Sequence, residues 1–187
     1  MLPYLLLGAG IFGADTLLKD RIENGKPEDY PRDLAGTGGK VAIYRSHNPV
    51  FSFKILNRHP ELVRTLPLCL TSASAGILMH LFTREDSGKL EKLAYTMITA
   101  GSLSNLLDRM RRGYVVDYLC VKRGPLRKAV FNLGDVGIVS GTLLAEAAVL
   151  LPGKPHVTAA EGGKARKGAG FAALCRLLRK GSYILGF

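Results

Sequence analysis

Long stretches of this chain contain no basic residues. Four windows, 2–18, 65–83, 93–107 and 129–151, together hold 74 residues and not one Lys or Arg. Their only carboxylates are Asp15, Asp135 and Glu146, so 38 of the 41 charged residues fall in the other 113. This segregation lets a chain of net charge +11 keep a positive mean hydropathy of +0.13. It excludes a basic disordered protein and an evenly amphipathic soluble domain alike. Cysteine is also scarce. Cys69, Cys120 and Cys175 are odd in number, widely spaced and without a C-x-x-C pair, which indicates neither a disulfide framework nor a zinc site. No internal repeat is visible, and the basic residues are not interleaved with aromatics in one module, which argues against a nucleic-acid binder.

The apolar windows set the fold class. A helix needs about 20 mostly apolar residues to cross a hydrocarbon core about 30 Å thick. The second and fourth windows meet that length alone; the first and third meet it when a polar end residue sits in the interface or faces the bundle interior. The prediction is an all-α membrane protein, a four-transmembrane-helix bundle. The opening run Met1-Leu-Pro-Tyr-Leu-Leu-Leu-Gly8 has no basic n-region, and Asp15 interrupts its far end, so it is expected to stay as helix 1 and not to act as a secretory signal. The link 84–92 is short, which makes helices 2 and 3 antiparallel neighbours. Segment 19–64 is long and rich in turn signals, with strand-like residues at 41–45 and 50–56, predicting a small β-containing loop region on the membrane surface. Segment 108–128 is basic but encloses an apolar run, 114–121, with Asp117 in its middle. The expected organisation is a membrane domain over 1–152 and a basic tail over 153–187, whose residues 171–180 suit a short amphipathic helix on anionic headgroups.

Carboxylates beside a membrane span are costly, so each normally faces a cavity or a partner and is a functional candidate. Asp117 and Asp135 flank one loop and therefore lie on the same side of the membrane. Two carboxylates brought together suit an arrangement in which a shared proton leaves one acid and one base to activate water. At the end of helix 3, Asn105, Asp108 and Arg109 stand at i, i+3 and i+4 and share a face. Asp108 and Arg109 read either as an interfacial cap or, with Asn105, as donors to a bound peptide or to the acid pair. The residues alone also leave open a proton relay through Asp15, Asp135 and Glu146.

Three motifs in order narrow this choice: Asn105-Leu-Leu-Asp108-Arg109, then Gly113-Tyr-Val-Val-Asp117-Tyr, then Phe131-Asn132-Leu-Gly-Asp135-Val-Gly-Ile138. In order and spacing they resemble the motif series of lipoprotein signal peptidase, also called signal peptidase II. Asp15-Thr-Leu-Leu-Lys19 is similar to the family's Asp-Gln-x-x-Lys element, and the resemblance spans about residues 1–152. It departs at Asn48-Pro-Val-Phe-Ser-Phe53, where the family's usual Gly and small residue are gone, at Ser104 in place of a Gly, and at Gly134 in place of an Ala.

The resemblance implies a membrane aspartic endopeptidase. Such an enzyme removes signal peptides from prolipoproteins by cleaving before the diacylglyceryl-modified cysteine, without metal or cofactor. Asp117 and Asp135 take the catalytic positions. Asn48, Asn105, Arg109 and Asn132 match positions lining the site, and Asp15 and Lys19 match supporting ones, with Asp108 beside them. The implied location is the bacterial cell (inner) membrane, with the acid pair near the extracytoplasmic face and both termini cytoplasmic. The implied partners are lipidated prolipoprotein signal peptides and membrane lipids, with no nucleic acid. The bare count of basic residues runs the other way: ten lie on the side of the termini and sixteen on the side of the acid pair. The altered loop at Asn48 and the added tail also suit a catalytically altered relative that binds lipidated membrane peptides as a chaperone or regulator.

Overall fold

The computed structural model describes residues 1–49, 60–124, 127 and 129–150, with backbone alone for 60–64. Expectations for 50–56, including Phe53, and for the tail beyond 152 lie outside these residues. Helix α1 (Leu2–Glu23) leads through a 3-10 turn (Pro27–Asp29) and the short strand β1 (Arg32–Asp33) into β2 (Val41–Asn48). Helices α2 (Pro60–Thr83) and α3 (Lys89–Arg112) follow, then β3 (Val115–Val121), β4 (Val130–Phe131) and α4 (Leu133–Leu150). Each of the first three helices extends beyond its arginine- and lysine-free window, so the window marks an apolar stretch and not the ends of the helix.

The interior of the helix bundle is polar and its outside apolar. Asp15, Lys19, Thr71, Ser74, Thr96, Thr99, Ser104 and Asp108 are buried, whereas Leu2, Leu6, Leu17, Leu70, Met79, Val139 and Leu143 are exposed. A soluble domain sorts these residue types the other way round. In lipid the exterior needs no hydrophobic driving force, and helices associate through small residues and buried hydrogen bonds. Thr99 Oγ1, for example, donates to Ser74 Oγ at 3.3 Å and joins α3 to α2. By length and composition, α2 (over Thr65–Thr83) and α4 (Leu133–Leu150) are apolar enough to cross a membrane. The helix α3 packs against α1, α2 and α4. Its neighbour α2 reaches it through the short link 84–88, as the sequence predicts.

At Gly101, α3 and α4 come into backbone contact. A Cβ added to Gly101 would lie 2.2 Å from the carbonyl oxygen of Gly134. Backbone meets backbone here, one residue before Asp135.

Four antiparallel strands, in the order β1-β2-β3-β4, form the sheet. The central partner of β2 is β3, with Ser46 opposite Asp117 and Asn48 opposite Val115. Segment 114–121, which the sequence shows only as an apolar run inside a basic link, thus supplies a buried central strand. Gly113 makes this possible: at φ 80° it ends α3 in the left-handed conformation that a side chain disfavours, and the chain reverses into β3. The sheet closes over Ile22 near the end of α1, with Val116 and Tyr118 buried against it and Leu133 of α4 alongside.

The fourth window requires a correction. Its first residues are not helix but strand β4, and α4 begins at Leu133. Asn132 stops the strand and caps the helix: its Oδ1 accepts from the Asp135 N–H at 2.8 Å, while Asp135 Oδ2 accepts from the Asn132 N–H at 3.2 Å. This reciprocal pair satisfies two of the free amides at a helix start. Asp135 therefore stands in the first turn of α4, at the mouth of the span.

Replacing Gly101 with Ala is expected to force α3 and α4 apart at Gly134. Overpacking of this kind costs about 1–3 kcal/mol. Thermal unfolding of the purified protein in detergent should show a lower midpoint than the wild type, whereas Gly10→Ala, with nothing within 4 Å of the added Cβ, should leave it unchanged.

Candidate active site

Two carboxylates meet where β3 and the first turn of α4 come together. Asp117, 5% exposed, comes from β3, and Asp135, half-buried, from α4. Asn132 joins them. Its Nδ2 donates to Asp117 Oδ1 at 2.8 Å and its backbone N–H donates to Asp135 Oδ2. The remaining oxygens are held by two further amides: Asn48 Nδ2 donates to Asp117 Oδ2 at 3.2 Å, and Asn105 Nδ2 donates to Asp135 Oδ1 at 2.8 Å. The register explains the reach of Asn48. Asn48 lies two residues from Ser46, the partner of Asp117, and so points to the same face of the sheet.

Behind the pair lies a buried ionic cluster. Lys19 Nζ is 2.7 Å from Asp15 Oδ2, and both side chains are fully buried. The same ammonium donates to Asn105 Oδ1 at 2.7 Å and to Ser104 Oγ at 3.1 Å, and stands 3.7 Å from Asp108 Oδ2. Lys19 thereby fixes which way the Asn105 amide points, turning its Nδ2 toward Asp135. Asp108 anchors the strand: its Oδ2 accepts from the Val116 N–H at 3.0 Å, and its Oδ1 pairs with Arg112, which also pairs with Asp20. Arg109 is within electrostatic reach of Asp117, Asp135 and Asp108.

The nine residues that the resemblance assigns to the site fall in this region, whereas Glu146 lies toward the other end of α4. Two side chains that the sequence reading did not assign to it join them. Ser104 Oγ donates to Asp15 Oδ2 at 2.7 Å, and Tyr118 OH donates to Asp15 Oδ1 at 2.8 Å. Ser104 stood out only as a departure from the family pattern. Nothing in the sequence marks Tyr118: only once 115–121 is a strand does residue 118 fall on the sheet face opposite Asp117. Among the described residues no group of three or more His, Cys, Asp or Glu is placed to hold a metal ion.

The surroundings favour a retained proton on Asp117. Burial, and then the neighbouring charge of Asp135, push its carboxyl up to about 6, against the opposing hydrogen bonds from Asn48 and Asn132. A buried carboxyl that is neutral below that pH beside a second carboxyl can donate a proton while the other accepts one.

Fold and site together define a membrane-associated helical bundle with a paired-aspartate centre under a small sheet. The family model described as signal peptidase (SPase) II matches residues 7–151. The chain belongs to the signal peptidase II family, a family of aspartic peptidases in the membrane. It is similar to the lipoprotein signal peptidase of Moorella thermoacetica, at 30% identity over 81% of this chain and 95% of that one. The corresponding proteins of Mesorhizobium japonicum and an Azoarcus species are 29% identical, over 76% and 82% of this chain and 82% and 86% of theirs. Two solved structures, each described as a bacterial membrane enzyme, share the fold. They have TM-scores of 0.65 and 0.64 at 20% and 19% identity, covering 80% and 82% of this chain and 88% and 96% of theirs.

The state of Asp117 is open to measurement. Difference infrared spectra should show a protonated carboxyl band that disappears as the pH rises through about 6. In Asp135→Asn the band should disappear at lower pH, because the repelling charge is gone while burial remains. A band with the same midpoint in both proteins would exclude coupling between the two acids.

Proposed function

We propose that this chain is the endopeptidase that removes signal peptides from prolipoproteins, cutting before the diacylglyceryl-modified cysteine, with Asp117 and Asp135 as its catalytic pair. The observation that carries this reading is the Asn132 bridge, which holds carboxylates from two separate elements side by side, each with both oxygens hydrogen-bonded by amides. The ionised aspartate takes a proton from a water molecule, whose oxygen attacks the scissile carbonyl carbon. The protonated aspartate donates to the carbonyl oxygen. Collapse of the tetrahedral species breaks the C–N bond, and the departing amine takes up a proton from the pair. Asn105 and Asn132 keep Asp135 aimed, Asn48 steadies Asp117, and the Arg109 guanidinium stands by for charge that develops on the peptide.

The membrane setting follows the same reading. All four helices span the bilayer, with residues 1–152 as the peptidase domain and 153–187 as a basic tail. The lipidated cysteine of the substrate reaches the acids when they face the extracytoplasmic side of the cell membrane, which places both termini in the cytoplasm against the bare count of basic residues. Binding energy comes from apolar burial of the signal helix and acyl chains. An apolar groove lined by Leu5, Phe12, Leu78, Phe82 and Leu103 opens between α1 and α2. It lies on a different face of α3 from the one that meets α4 at Gly101, and is therefore separate from the acid pair.

Purified protein is expected to cleave a diacylglyceryl-modified prolipoprotein peptide before its cysteine. Asp117→Asn and Asp135→Asn should each lose activity by at least a thousandfold while remaining folded in membranes. Retained cleavage in either variant would remove that residue from the pair, and binding without cleavage by the wild type would instead favour a chaperone or regulator.

A further inference from the structure

Both acids have neighbours in sequence that lie on a single third carboxylate. Tyr118 follows Asp117 on β3, and Leu133 precedes Asp135 by two residues as the first residue of α4. The Tyr118 hydroxyl donates to Asp15 Oδ1 at 2.8 Å and accepts from the Leu133 N–H at 3.1 Å. The Leu133 N–H is shared, lying also 3.0 Å from Asp15 Oδ1. One hydroxyl thus ties the strand bearing one acid to the helix bearing the other, and ties both to α1.

The geometry points to Tyr118 as a positioning residue of the proposed peptidase: it sets the separation and relative orientation of Asp117 and Asp135. This inference rests on the catalytic reading of that pair and deepens it. Successive side chains on a strand point to opposite faces, so Tyr118 touches neither the acids nor anything bound between them. Its action runs through the backbone, from residue 118 to 117 on one side and from 133 to 135 on the other. The side chain is 2% exposed and packs with Ile22 and Val116, which leaves its ring little freedom to move. Burial, followed by the adjacent Asp15 carboxylate, holds its phenol proton on far beyond the ordinary range, so it remains a donor at every working pH. The other two donors to Asp15, Ser104 Oγ and Lys19 Nζ, lie on the Oδ2 side and come from α3 and α1. Their further hydrogen bonds, to each other, to Asn105 and to Thr16, stay on α1 and α3.

The link can be cut from either end. Tyr118→Phe keeps the ring and removes the hydroxyl. Leu133→Pro removes the shared N–H at the first helical position, where proline is tolerated, directly after the capping Asn132. Steady-state cleavage of a lipidated prolipoprotein peptide by the full chain in lipid nanodiscs, measured across pH 4–9, is the test. Each folded variant should lose at least tenfold in kcat with KM within about twofold of the wild type, and the acidic limb of its pH profile should move. Ser74→Ala is the comparison. It removes a buried hydrogen bond between α2 and α3, and should lower the thermal midpoint without moving the pH profile. Wild-type kcat and pH profile in a folded Tyr118→Phe or Leu133→Pro would overturn the role of Tyr118. If Tyr118→Phe does not fold, Leu133→Pro decides alone. A wild type that cleaves nothing would overturn the peptidase reading itself, a result distinct from either.

Discussion

The carboxylate of Asp15 is the constraint on which the site is built. It is fully buried and accepts from four donors drawn from four elements: Lys19 on its own helix, Ser104 on α3, Tyr118 on β3 and the Leu133 amide of α4. Burying one ion costs several kcal/mol, and the arrangement is tolerable only because every oxygen lone pair in reach is occupied and Lys19 supplies the opposite charge. Loss of one partner would leave the other charged in a low-dielectric interior, at about 3–5 kcal/mol. The expense fixes the geometry. Four elements converge on one point, where that charge is satisfied.

Convergence at Asp15 determines what lies in front of it. With α4 drawn in by its first amide, α3 and α4 come so close that only glycine fits at Gly101. The same draw brings Asn132 to the join, where it caps α4 and bridges the acids at once. Lys19 then acts forward as well as back: the Asn105 oxygen is pinned to the ammonium, so the Asn105 nitrogen must face Asp135. On the outer side, Glu23 at the end of α1 takes His47 Nε2 at 2.7 Å and Tyr114 OH at 3.0 Å. This holds β2, and with it Asn48, against Asp117.

Much of this was legible in the sequence, for reasons that differ by residue. The helices show because long apolar windows without Lys or Arg run through all four of them. The polar positions show because Asp117 and Asp135 stand beside or inside such windows, and because Asn105, Asp108 and Arg109 share one helix face. The sheet was harder to see. Residues 115–121 are buried on both faces, so they read as a continuous apolar run, not as an alternation, and a run that short does not distinguish strand from helix. The start of α4 was misplaced for a related reason: Val130 and Phe131 extend the apolar window, and only the capping geometry of Asn132 separates strand from helix. Tyr118 and Ser104 were invisible as site residues because their importance lies in partners more than eighty residues away in sequence, or across the sheet, which no local pattern records.

The choice of groups around the acid pair has its own logic. The atoms that directly hold Asp117 and Asp135 are amides of Asn48, Asn105 and Asn132, neutral donors that orient a carboxylate without forcing it to ionise. A lysine or arginine in their place, at the same distance, would favour the charged form of both acids and depress each by one or more pH units. Neither acid could then serve as proton donor near neutrality. The cations are instead kept one step back. Lys19 reaches Asp135 through the Asn105 amide and is largely balanced by Asp15, while Arg109 shares its field among three carboxylates. Asp117 keeps a raised pKa because burial, and then the charge of Asp135, outweigh the hydrogen bonds from Asn48 and Asn132 and the charge of Lys19. A carboxyl raised in this way beside a second one lets the pair hold a single proton between two carboxylates.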